Sequence, residues 1–287
     1  MTTLSSLPAT LIEPTIRRAL DEDFGNSGDI TARLLVPEKV KGKLVFRARE
    51  DGVISGMQVA HMTYAMVDPD VRFTVKKDDG SHVKAGDIIA RVEGPVRSLL
   101  SAERTALNFL TRLSGIATLT AQYVEAVKGT KARIAATRKT TPGLRALEKQ
   151  AVLAGGGFTH RESLSSAIMI KDNHIALAGG IEKALQAIKA KADHMARISV
   201  EVDTLTQLEK ALPFAPDVIL LDNMGPDMLR EAVDIAEAYT GHRPVLEASG
   251  GVNLSTVTAI AQSGVDVISV GALTHSAPNF DIGLDAR

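Results

Sequence analysis

The 287-residue sequence has no cysteine and no tryptophan, and only 3% of its residues are aromatic. Without cysteine there are no disulfides, no thiolate metal sites and no cysteine nucleophile. So few rings require a core built mostly from aliphatic side chains, and they argue against a base-stacking platform. The formal charge is −1, which gives a nucleic-acid partner no electrostatic support. No apolar run approaches the roughly 18 residues of a membrane span. The start, Met1-Thr2-Thr3-Leu4-Ser5-Ser6, lacks the basic residues and apolar stretch of a signal peptide. These absences predict a cytoplasmic protein with neither nucleic acid nor membrane as partner.

What is present is an ordinary soluble balance, 45% apolar and 23% charged residues. In the second half, short runs rich in Val and Ile recur at 134–136, 167–170, 198–200, 218–221, 245–248 and 265–270. Between them lie stretches with apolar residues at helical spacing, at 143–154, 181–191, 205–212, 226–239 and 254–263. Continuous apolar strands alternating with amphipathic helices predict parallel strands buried on both faces. The rhythm favours an incomplete (β/α) barrel, with an open doubly wound sheet as the competing architecture. The first part reads differently: a helix over 12–23, then short strands at 43–49, 71–77 and 88–93 separated by turn signals. A helix over 98–113 leads into the barrel.

Strand after strand ends in a residue with chemical potential: Arg138, Lys171, Glu201, Asp222, Ser249 and Gly271. Ligands of parallel α/β folds sit at these carboxyl ends. From Thr137 to His174 the cations Arg138, Lys139, Arg145, Lys149, Arg161 and Lys171 outnumber the acids Glu148, Glu162 and Asp172. A local positive excess in a near-neutral protein points to a small polyanion. Arg138, His160, Arg161 and Lys171 suit carboxylate recognition, because a guanidinium offers a planar fork of donors. Ser249-Gly250-Gly251, read as lying between a strand and a helix, and Gly271-Ala272 are two candidate phosphate grips. Glu201 and Asp222 suit Mg²⁺ or sugar hydroxyls; the plain alternative for Glu201 is a pair with a nearby lysine. Lys171 is also open to a Schiff-base role, and Asp172, Asn173 and His174 to capping the next helix. Arg138 and Lys171 are expected at the ends of two adjacent strands.

At this point the chain resembles the quinolinate phosphoribosyltransferases. The resemblance is carried by Glu22-Asp23 with Gly28-Asp29-Ile30-Thr31, Glu103-Arg104-Thr105-Ala106-Leu107-Asn108, and Ser114-Gly115-Ile116-Ala117-Thr118. It continues through Thr137-Arg138-Lys139-Thr140-Thr141-Pro142-Gly143, His160-Arg161, Ile170-Lys171-Asp172-Asn173-His174, Leu221-Asp222-Asn223-Met224, Ser249-Gly250-Gly251 and Val270-Gly271-Ala272-Leu273-Thr274-His275. Gln150, Thr159 and Ser166 depart from the usual pattern but replace no proposed ligand.

The resemblance implies an N-terminal α/β sandwich domain over residues 1–112 and an incomplete α/β barrel over 113–275, with 276–287 returning to the first domain. It implies a homodimer, or a hexamer of such dimers, with Arg104 offered across the subunit interface. The implied reaction joins quinolinate to phosphoribosyl pyrophosphate with Mg²⁺, giving nicotinate mononucleotide, pyrophosphate and CO₂ in NAD biosynthesis. Quinolinate would then meet Arg104, Thr137, Arg138, Lys139, His160, Arg161 and Lys171. Phosphoribosyl pyrophosphate would meet Lys139, Lys171, Glu201, Asp222, Ser249, Gly250, Gly251, Val270, Gly271, Ala272 and His275. Lys139, Lys171, Glu201 and Asp222 would be the catalytic groups, with the two acids on Mg²⁺ directly or through the substrate.

Overall fold

Six parallel strands carry the second half of the chain. In the computed structural model, which describes residues 6–286, the first half begins with α1 (Ala9–Phe24), α2 (Ile30–Leu35), β1 (Lys41–Ala48) and β2 (Gly52–Val53). It continues with α3 (Met57–Val67), β3 (Arg72–Val75), β4 (His82–Val83), β5 (Ile88–Pro95) and the long α4 (Val96–Ala126). Then come β6 (Arg133–Ala135), α5 (Arg145–Ala154), β7 (Ile168–Ile170), α6 (Asp172–Ala178), α7 (Ile181–Lys189), β8 (Ile198–Val202) and α8 (Leu205–Ala211). The chain ends through β9 (Val218–Asp222), α9 (Pro226–Ala238), β10 (Val245–Ser249), α10 (Val257–Gln262), β11 (Val267–Ser269), α11 (Ala272–His275) and β12 (Ile282–Ala286).

The chain divides into two compact units. One holds residues 1–121, 140–156 and 274–287, and the other holds 122–139 and 157–273. In the first, a four-stranded sheet runs β12-β1-β5-β3. Here β12 pairs antiparallel with β1, Leu44 opposite Ala286 and Ala48 opposite Ile282, so the chain's end closes one edge of the sheet. A Cβ on Gly115 would strike the Pro278 carbonyl, which explains glycine where this returning segment crosses α4. Phe46, Tyr64 and Phe73 meet with ring centroids 5.8–6.0 Å apart. Three of the chain's few rings thus sit together, with aliphatic residues such as Ile54, Ile89 and Leu99 around them. The α3 helix, MQVAHMTYAMV, has too little polar contrast between its faces to stand out in the sequence.

In the second unit the sheet order is β6-β11-β10-β9-β8-β7, all parallel. Every residue of β8 is buried, as expected of a strand covered on both faces. The flanking helices present apolar stripes: α9 buries Leu229, Ala232, Val233 and Ala236. Its start is set by Pro226 at the first helical position, where no amide hydrogen is missed. A capping box starts α8, Thr204 Oγ1 accepting from the Gln207 amide and Gln207 Oε1 accepting from the Thr204 amide, both at 3.2 Å.

One expectation fails here. β6 and β7 follow one another in sequence but stand at opposite ends of the strand order, so Arg138 and Lys171 do not end adjacent strands. Among the described residues the barrel stays open between them. Phe158 lies against the free side of β6 through a single parallel bridge to Ala135. Its amide donates to the Ile134 carbonyl at 2.8 Å and its carbonyl accepts from the Ala136 amide at 2.9 Å.

Candidate active site

The carboxyl ends of the barrel strands gather acids and cations within the second unit. Thr137, Arg138 and Lys139 follow β6, where Thr137 Oγ1 accepts from the Lys139 amide at 3.0 Å and turns the chain. His160 and Arg161 follow Phe158. Lys171 leaves β7, Glu201 lies within β8, Asp222 ends β9 and Ser249 ends β10. Val270 and Gly271 leave β11, and Ala272 opens α11. Arg104 on α4 and His275, whose Nδ1 is 2.6 Å from Ser276 Oγ, belong to the other unit.

Lys171 and Glu201 end neighbouring strands, and Lys171 Nζ lies 2.8 Å from Glu201 Oε2. The plain alternative for Glu201, a lysine partner, is therefore present in the structure. An ammonium held this way is engaged as a charge partner, which weighs against a Schiff-base nucleophile. Asp222 sits nearby: burial raises its carboxyl above the usual range, the charges of Glu201 and Asp203 raise it further, and Lys171 and Lys139 oppose them. A carboxylate whose charge is disfavoured by burial and by the acid beside it marks a place suited to a cation or to hydroxyl donors.

Asp222 is held by its neighbour Asn223, which the sequence offers only as part of a motif and with no role of its own. Asn223 Nδ2 donates to Asp222 Oδ2 at 2.7 Å, while the Asn223 amide donates to the Ser249 carbonyl at 2.9 Å. Asn223 has φ +53, a left-handed conformation that asparagine tolerates better than most residues. The next turn is built on it. Gly250 has φ +88, and a Cβ there would overlap the Asn223 side chain and approach its backbone nitrogen to 2.9 Å. Gly251 is also left-handed, at φ +61. The helix expected over 254–263 begins at Val257, after a turn in which Thr256 Oγ1 accepts from the Asn253 amide at 3.0 Å. Any phosphate held here would therefore rest on the glycine turn itself.

The second cluster is cationic. Burial and the neighbouring charge of Arg138 together lower the Arg161 guanidinium from its ordinary value. Arg161 Nη1 donates to the Ala167 carbonyl at 3.0 Å, and Arg138 Nε is buried with no hydrogen-bond partner among the described residues. Two crowded guanidiniums suit a dianion. His160 Nε2 lies 3.5 Å from Glu247 Oε2. Glu247, only 4% exposed in the middle of β10, was missed by the sequence reading. Its signal was a lone acid in the apolar run Val245-Leu246-Glu247-Ala248. His174 is accounted for differently: its Nδ1 accepts from the Lys171 amide at 2.9 Å, so it caps α6.

The carboxyl-terminal domain model of quinolinate phosphoribosyl transferase matches residues 116–285, and the amino-terminal domain model matches residues 29–114. The chain belongs to the quinolinate phosphoribosyltransferase family. A nicotinate-nucleotide pyrophosphorylase (carboxylating) of Mycobacterium leprae is 44% identical to this family member over 275 residues, covering 94% of this chain and 95% of the relative. A probable enzyme of the same name from Bacillus subtilis is 41% identical over 265 residues, covering 92% and 89%. The crystal structure of NadC from Streptococcus pyogenes superposes on this phosphoribosyltransferase-family chain with a TM-score of 0.93 at 38% identity, covering 99% of each chain. The incomplete barrel is thus the family's fold. Among the described residues no helix is long and apolar enough to cross a membrane.

Proposed function

We propose that the protein transfers the phosphoribosyl group of phosphoribosyl pyrophosphate to quinolinate. Pyrophosphate leaves in that transfer, and decarboxylation then gives nicotinate mononucleotide and CO₂, in cytoplasmic NAD biosynthesis. One observation carries the reading: a dense group of cations and a separate acid pair share the carboxyl end of one barrel, in a chain of this family.

In this reading Arg138, His160 and Arg161 hold the two carboxylates of quinolinate, with Thr137 beside them and Arg104 entering from the partner of a homodimer. Lys139 and Lys171 face the pyrophosphate, with His275 in support. Lys171 exchanges part of its contact with Glu201 for the incoming phosphates. Glu201 and Asp222 bind the ribose hydroxyls and offset the positive charge that grows at the anomeric carbon as the C–O bond to pyrophosphate breaks. Ser249, Gly250 and Gly251, with Val270, Gly271 and Ala272, hold the 5′-phosphate. Such a transfer depends on positioning and charge neutralisation more than on a protein nucleophile. After the ring nitrogen bonds to the sugar, its positive charge stabilises the electron pair left on the adjacent ring carbon when CO₂ departs, a proton from water then takes up that pair, and the cationic anchors need only keep the ring in place.

The acids also fit Mg²⁺. Among the described residues no group of three or more metal-ligating side chains converges, and a magnesium ion characteristically takes one or two carboxylates and completes its shell with water and substrate phosphates. Glu201 and Asp222 would hold it, directly or through substrate, and it would supply positive charge to the leaving pyrophosphate.

The test is direct. The protein is mixed with quinolinate, phosphoribosyl pyrophosphate and Mg²⁺, and nicotinate mononucleotide and released CO₂ are followed together. Absence of both products across pH and metal concentration would sink the proposal.

A further inference from the structure

Glu247 is the barrel's unexplained acid. It sits in the middle of β10, paired in register with Leu220 of β9 and Val267 of β11. It lies two residues before Ser249, on the same face of the strand because side chains alternate. Its Oε1 is buried with no hydrogen-bond partner among the described residues, and its Oε2 lies 3.5 Å from His160 Nε2. A carboxylate this buried is costly to keep unless something engages it. The central strand of a parallel sheet is also a poor place for an acid that serves only solubility. His160 stands beside Arg161 in the short segment attached to β6 by a single bridge, so the sheet ladder does not fix its ring.

We propose that Glu247 is a positioning residue that acts through His160. It accepts a hydrogen bond from His160 Nε2 and so sets the ring plane, leaving Nδ1 to face the pyridine dicarboxylate, to which it donates when the ring carries both protons. The inference rests on the phosphoribosyl-transfer reading above and deepens it. The 3.5 Å separation is just beyond a hydrogen bond, and a shift of a few tenths of an ångström closes it. Carboxylates play this orienting part behind functional histidines generally, because the hydrogen bond at one ring nitrogen decides what the other presents. Glu247 itself touches no substrate in this scheme; its effect is confined to the acceptor half of the site.

The experiment measures steady-state constants for the wild type and for Glu247→Gln, His160→Asn and the double variant, with Mg²⁺ present. Loss of the orienting carboxylate in Glu247→Gln is expected to raise the KM for quinolinate about tenfold and to leave the KM for phosphoribosyl pyrophosphate within about twofold. In the His160→Asn background the same change should add little, because residues acting through one another are not additive. Equal rises in both constants, or full additivity in the double variant, would overturn the proposal in favour of a purely structural acid. Should Glu247→Gln fail to fold, a crystal structure of the wild type with quinolinate decides: Nε2 to Oε of 3.2 Å or less supports the proposal, and a longer separation overturns it. A wild type that forms no nicotinate mononucleotide would instead strike at the phosphoribosyl-transfer reading itself.

Discussion

Lys171 Nζ lies 2.8 Å from Glu201 Oε2 and ties the ends of β7 and β8 together where the site is built. The Glu201 side chain is 9% exposed and that of Lys171 is 48%, so the acid is the partner that suffers when the contact is lost. Lys171→Met should lower stability by about 1–3 kcal/mol, the cost of an orphaned buried polar group. Adding Glu201→Gln should restore much of it. Urea unfolding of the two single variants and the double gives the answer; purely additive losses would mean that the two side chains do not depend on each other.

Arg138 carries the second prediction. Its Nε is buried and without a hydrogen-bond partner among the described residues, and its charge already weighs on Arg161. Arg138→Ala should weaken quinolinate binding by roughly 2–5 kcal/mol, as expected for one side of a desolvated charge pair. Calorimetric titration measures this, and an unchanged affinity would remove Arg138 from contact with the substrate.

A third prediction concerns the opposite end of the strands. Asp266, just before β11, accepts from Arg243 Nη1 at 2.9 Å and Nη2 at 3.2 Å, and from the Leu246 amide at 2.8 Å. Burial would raise its carboxyl, but these bonds and the charges of Arg243 and Lys131 outweigh it, and the net shift is downward. A lowered folded value means that the group stabilises the fold above the usual carboxylate range, and that this is lost as pH falls through the lowered value. Asp266→Asn should therefore cost stability at neutral pH, with the gap to wild type shrinking below about pH 4. Denaturant melts at several pH values test this, and a pH-independent gap would contradict it. Turnover at neutral pH should be little changed, since Asp266 lies away from the strand ends that bear the site.

The intersubunit role proposed for Arg104 has its own test. Arg104→Ala and Arg161→Ala chains, each inactive alone, should regain up to about a quarter of wild-type activity when randomly mixed as dimers, because one site of each heterodimer is then intact. Lack of rescue would mean that each site draws all its residues from one chain.

Much of this was legible in the chain, for identifiable reasons. Buried parallel strands are continuous apolar runs, so all six barrel strands stand out, and the polar residue ending each run marks the site. The place of β6 in the strand order was not legible. Consecutive strands from β7 to β11 do pair, but apolar periodicity says nothing about which strand β6 bonds, and β6 pairs with β11 rather than with β7. Glu247 was missed because one acid inside an apolar run looks like an interruption, although its spacing from Ser249 puts it on the site's face. Asn223 was read only as part of a motif; its work depends on a left-handed backbone that no spacing reveals.

The single bridge between Phe158 and Ala135 has a consequence for how firmly each part of the site is held. Asp222 and Ser249 close strands that are paired over five positions, so the β9 and β10 amides should exchange with deuterium only through large-scale unfolding. The stretch from Thr159 to Ala167 has no such ladder among the described residues and should exchange through cheap local opening. Dicarboxylate binding would then register partly as protection gained there, and the enzyme would carry His160 and Arg161 on weakly held backbone and its sugar contacts on firmly paired strands.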